Sequence, residues 1–375
     1  MAPVILALQR AEEVVPRVCV TAQHREMLDQ VLDLFQIVPD HDLAVMVPDQ
    51  TPVAVAAAVL SRLERVLVEE RPDWVLVQGD TTTAVAAALA GFYLGIPVAH
   101  VEAGLRTHDR RRPFPEEMHR RIAGVLADLH FAPTPGAREN LLREGVESGR
   151  IAVTGNPVID ALRHILGRND PDAAVLPAAV QRRLVAGARL VLVTAHRRES
   201  FGTALEEMCQ AVVDLVRRGG DTVEVAFPVH PNPEVRRAVH RRLSGIPHVT
   251  LLEALSYERF LRLLQSSYVV LTDSGGVQEE APALGVPVLV LRDLTERPEG
   301  EWVGCTRIVG TTREDIVTAA ARLLDNPAAR AEMARVALPF GDGFAAERIV
   351  AVLRGEPVTP FSPVDVAPSG ESVLP

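Results

Sequence analysis

Three carboxylates within residues 78–117 have a spacing that suits proton-transfer chemistry. Asp80 follows the apolar run 74–77, and Glu102 comes shortly after the apolar run 96–99. Glu116 lies further on, between prolines and a second acid. Carboxylates that converge on one crevice can act as general acids and bases. The pattern therefore predicts acid–base catalysis in this part of the chain.

The surrounding residues predict how these carboxylates are held. Short apolar runs bounded by turn residues are typical of buried parallel strands, and a helical stretch over 82–94 joins the two runs into a β-α-β unit. Asp80 and Glu102 then follow strand carboxyl ends, where open α/β sheets bind ligands. Two structural alternatives stay open: Asp80 can simply cap the next helix, and Glu116 can belong to an acidic first turn. Glu102 is harder to explain that way, because a buried charge needs a partner.

Composition limits the class of protein. A chain of 375 residues with 47% hydrophobic side chains is long enough for two domains with sizeable cores. The formal net charge of −10 disfavours a general nucleic-acid binder. Cys19, Cys209 and Cys305 are far apart, which favours a reducing cytoplasm and neither disulfides nor a zinc site. Without an apolar run of about 18–20 residues or a signal peptide, we expect a cytoplasmic protein with no membrane partner.

Strand and helix patterns alternate on both sides of a less regular stretch near residues 165–188. This alternation predicts an α/β protein with two Rossmann-like domains built on parallel sheets. We expect an N-terminal domain over 1–165 that is joined by a C-terminal helix over 343–354. A C-terminal domain over 166–342 and a disordered tail over 355–375 complete the prediction. Segment 37–52, rich in Pro and Asp, is predicted to be a loop.

A Ser-Gly-Gly motif forms the second candidate site. Ser274, Gly275 and Gly276 lie between the predicted strand 268–272 and a predicted helix. Glycines let the backbone approach a ligand, and the N–H groups of a first helical turn can bind phosphate. Glu280, one turn further on, is placed to accept hydrogen bonds from a ribose diol. The alternative is an ordinary glycine turn with a serine N-cap.

Cationic residues follow other predicted strands. His196 and two arginines end the strand 190–194, where they can neutralise a pyrophosphate; a solvated charged loop is the alternative. Arg297 is a further cation within 295–299. The chain has no GxGxxG motif after a strand, no P-loop, no HExxH motif and no GxSxG elbow. We therefore predict no nicotinamide or flavin cofactor and no catalytic metal.

Taken together, these motifs resemble the bacterial non-hydrolysing UDP-N-acetylglucosamine 2-epimerases. The resemblance runs from Met1 to about Arg354. It rests on motifs in the right order along the chain, at residues 21–30, 79–83, 100–107, 115–117, 196–202, 273–280 and 295–299.

The resemblance implies a GT-B-like architecture with the active site in the interdomain cleft, and a homodimer. It implies reversible conversion of UDP-GlcNAc to UDP-ManNAc at C2 without NAD or another cofactor. UDP is eliminated to give 2-acetamidoglucal and is then added back. The product would serve cell-surface polysaccharide biosynthesis.

The resemblance also implies residue roles. Acid–base roles fall to three carboxylates and a diphosphate role to one histidine: Asp80, Glu102, Glu116 and His196. The nucleotide side comprises the phosphate nest, the ribose ligand, the uracil contacts and one lining cation: Ser274, Gly275, Gly276, Glu280, Leu255, Phe260 and Arg297.

The chain departs from the family pattern in two places. We expect it to lack the family's first strand and its Gly-Thr-Arg-Pro-Glu loop, whose Arg, with a Lys that follows the loop, binds the diphosphate side. Two sheet edges are then unpaired. Gln23 and His24 match a segment that binds an activating substrate molecule in some members. Asp49 stands where that pattern has an arginine, which argues against such activation.

Two alternatives to the epimerase follow from these features. One is another enzyme of the same architecture, either a GT-B glycosyltransferase or a hydrolysing epimerase. The other is a non-catalytic or vestigial protein that binds a nucleotide sugar, which the absent N-terminal loop would explain.

Overall fold

The computed structural model describes residues 1–22, 25–47, 50–168, 176–195 and 202–365. The chain forms two compact units. The first comprises Met1–Ala161 and Phe340–Pro363, and the second comprises Leu162–Pro339 and Val364–Pro375.

The first unit alternates strands and helices. Its helices are α1 (Ala2–Arg10), α2 (Arg25–Phe35), α3 (Pro52–Glu70), α4 (Thr82–Tyr93), α5 (Glu116–Leu126), α6 (Pro135–Arg143), α7 (Pro157–Leu166), which leads into the second unit, and, near the end of the chain, α16 (Ala345–Leu353). Its strands are β1 (Cys19–Val20), β2 (His41–Asp42), β3 (Val75–Gln78), β4 (Val98–Val101), β5 (Leu129–Ala132) and β6 (Ile151–Val153).

Strands β3 to β6 pair in sequence order, and all of them are parallel. Every residue of β4 is buried, because helices cover both faces of the sheet. Ala99 and Val101 pack with residues of α1 and α16, whereas Val98 packs with residues of α3 and α4. A central parallel strand is a continuous apolar run in the sequence because both of its faces are buried.

The prediction of a loop over 37–52 is wrong in part, because this segment contains strand β2. His41 and Asp42 pair in parallel with Cys19 and Val20. Among the described residues, β1 pairs only with β2 and β3 pairs only with β4, so the first unit holds its strands in two sheets. A polar contact of 3.4 Å between the hydroxyls of Thr21 and Thr83 links the end of β1 to the start of α4.

Helix α16 is anchored to the first unit by a buried carboxylate. Asp160 on α7 accepts hydrogen bonds from the amides of Ala345 and Ala346, at 3.2 and 2.7 Å. These amides lie at the start of α16, where a helix leaves N–H groups unpaired. Burial raises the pKa of Asp160 to about 6.

The second unit repeats the alternation around a larger parallel sheet. Its helices are α8 (Ala178–Val185), α9 (Thr203–Gly219), α10 (Pro233–Leu243), α11 (Tyr257–Gln265), α12 (Gly275–Ala283), α13 (Glu299–Trp302), α14 (Arg313–Asp325) and α15 (Pro327–Met333). Its strands are β7 (Arg189–Thr194), β8 (Val223–Pro228), β9 (Val249–Leu252), β10 (Val269–Thr272), β11 (Val288–Val290), β12 (Thr306–Ile308), β13 (Ala337–Leu338) and β14 (Val364–Asp365).

Six of these strands form one parallel sheet in the order β12-β11-β10-β7-β8-β9. Strands β7 and β10 lie at the centre of this sheet. From β7 the chain continues outward on one side through β8 and β9, and from β10 it continues outward on the other side through β11 and β12, so the strand order reverses between β7 and β10. In doubly wound sheets, ligands bind at the carboxyl ends of strands beside such a reversal. Helix α12, which carries the Ser-Gly-Gly motif, begins directly after β10.

The prediction that residues 355–375 form a disordered tail is wrong for the first part of this segment. Phe361 is buried, and its amide donates to the carbonyl oxygen of Val153 at 2.8 Å. Further on, β14 pairs antiparallel with β13. Residues 366–375 lie outside the described residues. Among the described residues, none of the helices combines the length and apolarity needed to span a bilayer.

Candidate functional site

Asp80 is fixed in place by two residues of helix α5. Arg120 donates from Nε to Oδ2 of Asp80 at 2.9 Å, and its Nη2 forms an ion pair with the same oxygen at 2.8 Å. His119 Nδ1 lies 2.8 Å from the Asp80 carbonyl oxygen, so it donates to this acceptor. The capping alternative for Asp80 is wrong, because Thr81 caps α4 by accepting from the amide of Ala84.

Glu102 sits in a strained turn at the end of β4. Its φ of 64° is in the left-handed region, which costs a residue with a side chain about 1–3 kcal/mol. Such strain is concentrated at functional sites. A Cβ added to Gly79 would lie 3.5 Å from Glu102 Oε2, so the turn after β3 and the Glu102 carboxylate are neighbours. Gln78 Nε2 lies 3.4 Å from the same oxygen.

Glu116 begins α5 and has one buried carboxylate oxygen. Among the described residues, no hydrogen bond reaches its Oε2, although this atom is shielded from solvent. A buried carboxylate oxygen left unpaired is costly and indicates a ligand or a function. Arg120, which holds Asp80, lies one turn further along the same helix.

Glu117, the next residue, has a structural role in the first turn of α5, which was the alternative considered for Glu116. It is fully buried and accepts from the amides of Thr107 and His108, at 3.0 and 3.1 Å. It also accepts from Arg120 Nη1 at 3.1 Å. Glu117 therefore ties the loop that follows Glu102 to α5, and it neutralises the guanidinium that clamps Asp80.

His100 supports the same turn from inside the sheet. Its Nε2 lies 2.8 Å from the carbonyl oxygen of Gly79, and burial lowers its pKa to about 4. The ring is therefore neutral, and Nε2 carries the proton that it donates. His130 is its cross-strand neighbour on β5, and burial likewise lowers the pKa of His130 to about 4.

In the second unit, the Ser-Gly-Gly motif forms the N-terminus of α12. Ser274 stands at the N-cap, but among the described residues its hydroxyl makes no capping hydrogen bond. This disfavours the ordinary serine-cap alternative. Gly276 has no atom within 4 Å of where a Cβ would be, so its face of the helix end is open. The N–H groups at the start of such a helix can bind an anion.

Arg297 packs under this turn. A Cβ on Gly275 would lie 2.6 Å from Arg297 Nη1, so glycine is required by space. The guanidinium is buried and binds two carboxylates, Glu279 and Glu296. Arg297 therefore lies beside the start of α12, with its charge matched inside the protein. Arg292 adds a second cation to Glu296 at 3.0 Å.

Glu280 makes a contact that the sequence did not indicate. Its Oε1 accepts from the hydroxyl of Tyr257, the first residue of α11, at 2.6 Å. Burial raises the pKa of Glu280 to about 7, although the hydrogen bond from Tyr257 opposes this shift. Burial, followed by the nearby Glu280 charge, raises the pKa of Tyr257 well above its usual value.

The remaining predicted residues are placed in part. Leu255 precedes α11, and Phe260 lies on it three residues after Tyr257; both are partly buried. His196, Gln23 and His24 lie outside the described residues. Among the residues that the structure describes, no group of three or more His, Cys, Asp or Glu side chains could hold a metal ion.

The site residues thus fall into two sets. Asp80, Glu102 and Glu116 belong to the first unit. The nest, Glu280 and Arg297 belong to the second. Sequence reasoning missed Arg120, His119 and Tyr257, whose contacts join positions far apart in the chain. An arginine four residues after Glu116 on a predicted helix was the one available signal.

Known proteins resemble this chain over most of its length. A family model described as UDP-N-acetylglucosamine 2-epimerase matches residues 6–354. The chain is 50% identical over 361 residues to the UDP-N-acetylglucosamine 2-epimerase of Yersinia pestis, covering 96% of each.

Two solved structures give the same result. A UDP-GlcNAc 2-epimerase from Neisseria meningitidis bound to UDP-GlcNAc is 42% identical, with a TM-score of 0.88 over 95% of this chain and 96% of that one. A UDP-GlcNAc 2-epimerase from Methanocaldococcus jannaschii in complex with UDP-GlcNAc and UDP is 32% identical, with a TM-score of 0.82 over 94% and 95%. The predicted α/β, GT-B-like fold class is confirmed, and the chain belongs to the UDP-N-acetylglucosamine 2-epimerase family.

Proposed function

We propose that this protein interconverts UDP-GlcNAc and UDP-ManNAc by inverting C2. The observation that carries the proposal is the carboxylate set of the first unit. Asp80 is held rigidly by Arg120, and Glu116 keeps a buried oxygen with no internal partner among the described residues. Inversion needs a proton acceptor on one face of C2 and a donor on the other. The structures of relatives bound to UDP-GlcNAc and UDP support this substrate class.

The proposed chemistry is elimination followed by re-addition. A carboxylate removes the proton from C2, the electron pair forms a C1–C2 double bond, and the C1–O bond breaks as UDP departs. The intermediate is 2-acetamidoglucal. A proton then reaches C2 from the opposite face, and UDP adds back at C1. Asp80, Glu102 and Glu116 supply these proton transfers, each worth about 10²–10⁴-fold in rate.

We assign the nucleotide to the second unit. The amides at the start of α12, with Ser274 and Gly276, would bind the diphosphate, and the helix dipole would favour its negative charge. Glu280 would accept from the ribose diol. Leu255 and Phe260 would contact uracil. His196 remains the predicted diphosphate-side histidine. Stabilising the departing diphosphate is the largest electrostatic task in this reaction.

We also propose a homodimer in the cytoplasm. Large apolar side chains are exposed at the end of α4 and on α5, including Phe92, Tyr93 and Val125, and such surfaces favour protein contacts. The three cysteines are free thiols, which fits a reducing compartment. Light scattering should give the mass of two chains. A single-chain mass at every concentration tested would contradict the dimer.

Product analysis tests the proposed function. Incubation with UDP-GlcNAc should give a mixture of UDP-GlcNAc and UDP-ManNAc that stays constant with time and is reached from either side. Continuous release of UDP would instead indicate a glycosyltransferase or a hydrolysing epimerase. Conversion that requires added NAD would contradict the cofactor-free mechanism.

A second candidate is a protein that binds the nucleotide without turnover. It is favoured by the separation of the first unit's strands into two sheets among the described residues. In that case, UDP should bind equally well to the wild type, Asp80→Asn and Glu102→Gln, and none of the three should form UDP-ManNAc. Turnover by the wild type alone rejects this candidate.

A further inference from the structure

The contact between Tyr257 and Glu280 joins the first residue of α11 to the second turn of α12, and the proposed function assigns these two helices to different parts of one nucleotide. Helix α11 begins at Tyr257 and carries Phe260, the predicted uracil contact. Helix α12 begins at the phosphate nest and carries Glu280, the predicted ribose ligand. The 2.6 Å bond between these side chains is their direct polar link.

The direction of this bond is set by chemistry. Burial raises the pKa of the Tyr257 phenol, so its oxygen keeps the proton and donates it. Glu280 must accept at Oε1, which fixes the rotation of its carboxyl group. Ribose hydroxyls are donors that require an acceptor in a defined position. A carboxyl group held by one donor still has lone pairs for others, because its two oxygens together offer about four acceptor sites.

Without that donor, Glu280 would lose its fixed orientation. It is a buried residue of α12, and a buried carboxyl group that loses a donor is left with an unpaired oxygen, which is costly. An acceptor that can rotate, or that takes up a proton and becomes a donor, recognises a diol poorly. Tyr257 therefore controls Glu280 without needing to touch the nucleotide itself.

We propose that Tyr257 is a positioning residue that determines sugar specificity: it orients Glu280 so that the second unit selects nucleotides with a ribose diol. This inference rests on the proposed ribose role of Glu280. Tyr257 was not identified by the sequence motifs, and its proposed effect, a preference for nucleotides with a ribose diol over those without one, can be measured. Tyr257 and Phe260 lie three residues apart, on neighbouring positions of one helix face. One helix would thus position both the base contact and the sugar contact.

The test compares UDP with 2′,3′-dideoxy-UDP by titration calorimetry on the full chain. The wild type should prefer UDP. Y257F should bind UDP about tenfold more weakly, equivalent to about 1.4 kcal/mol, and should bind the dideoxy ligand within about twofold of the wild type. In turnover of UDP-GlcNAc, the KM should rise while kcat changes little, since the reacting centre is untouched.

Y268F is the matched control. It removes the hydroxyl of a tyrosine in the same unit that packs under Arg330 through its ring, and it should bind both ligands like the wild type. Y257L is a second variant that removes the donor and leaves Glu280 unchanged. It should lose the preference for UDP as Y257F does, so the test survives if Y257F folds poorly.

Three results would overturn the inference: equal weakening of both ligands in Y257F, an unchanged preference for UDP in Y257F and Y257L, or a wild type that binds both ligands alike. None of them depends on turnover. A protein that interconverts the sugars but shows no diol preference loses only this inference. One that shows the preference in binding but forms no product loses only the proposed function.

Discussion

Arg120 grips Asp80 with two nitrogens, Nε at 2.9 Å and Nη2 at 2.8 Å from the same carboxylate oxygen. The guanidinium itself is buried and also binds Glu117. This arrangement leaves Asp80 little freedom to rotate. Rigid placement of a reacting group can supply a large part of a rate enhancement.

Replacing Arg120 by lysine should therefore lower kcat by up to about 10²-fold while the KM for UDP-GlcNAc changes little. Lysine keeps the charge but cannot make both bonds with a planar fork. Steady-state kinetics provides the measurement. Arg121→Lys is the matched control, because Arg121 contacts Glu117 at 3.4 Å and has no bond to Asp80. Equal losses in both variants would mean that Arg120 acts only through stability.

Adjacent glutamates on α5 should respond in opposite ways. Glu116→Gln should lower kcat by about 10²–10⁴-fold, because it removes a proton-transfer group. The free energy of unfolding should change by less than about 0.5 kcal/mol, since no internal hydrogen bond to Oε2 is lost among the described residues.

Glu117→Gln should instead destabilise the protein by about 3–5 kcal/mol, because it breaks a buried ion pair and puts an NH2 group against one of the two backbone amides that Glu117 accepts from. Urea unfolding of both variants measures these energies. If Glu116→Gln unfolds as easily as Glu117→Gln, then Glu116 is a structural residue and its catalytic role is rejected.

The two nest glycines should separate folding from binding. Gly275→Ala places a methyl group 2.6 Å from Arg297 Nη1 and should cost about 1–3 kcal/mol of stability. Gly276→Ala meets no atom within 4 Å and should fold normally. It should nevertheless weaken UDP binding about tenfold, because the methyl group occupies the space where a phosphate would approach the amides.

Thermal unfolding and UDP titration distinguish these effects. Uridine, which lacks the diphosphate, serves as the control ligand and should bind Gly276→Ala and the wild type alike. A Gly276→Ala variant that binds UDP with unchanged affinity would contradict the phosphate nest at this turn.

His130 should make the protein sensitive to acid. Its pKa is about 4 in the folded protein, below the ordinary value of 6.5, so the unfolded chain binds the proton first. Its contribution to stability is complete above pH 6.5 and is lost as the pH falls toward 4. From pH 7 to pH 5, this single group should cost about 2 kcal/mol.

His130→Leu should remove that share of the loss, so the wild type should lose about 2 kcal/mol more than the variant over this range. Urea unfolding at pH 7 and pH 5 gives the difference. His240→Gln, at an exposed histidine of α10, is the control and should follow the wild type. A His130→Leu variant with the same pH dependence as the wild type would show that this histidine takes up its proton equally in both states.

Local patterns were sufficient to predict where the carboxylates stand. Asp80 and Glu102 follow continuous runs of apolar residues, which are typical of strands buried on both faces of a sheet. The carboxyl ends of parallel strands lie at the same edge of the sheet. The start of α12 was predictable for a similar reason, because two glycines at a strand–helix junction are unusual unless the backbone must be approached closely.

The partners of these residues were not predictable, because side-chain contacts join distant positions. Arg120 lies 40 residues from Asp80, and Tyr257 lies 23 residues from Glu280. Nothing in periodicity selects one arginine among several. Strand β2 was missed because His41 and Asp42 are poor strand formers in a Pro-rich segment. The burial of Phe361 was missed because a single aromatic residue gives no period.

The most direct test of the central claim is isotope exchange at C2. The protein is incubated with UDP-GlcNAc in deuterium oxide, and both sugars are examined by NMR and mass spectrometry. The mechanism predicts one deuterium at C2 of the UDP-ManNAc formed and, with time, of the recovered UDP-GlcNAc, and no exchange with Asp80→Asn. UDP-ManNAc that retains the original hydrogen at C2, or a protein that catalyses no exchange, would contradict proton transfer by these carboxylates.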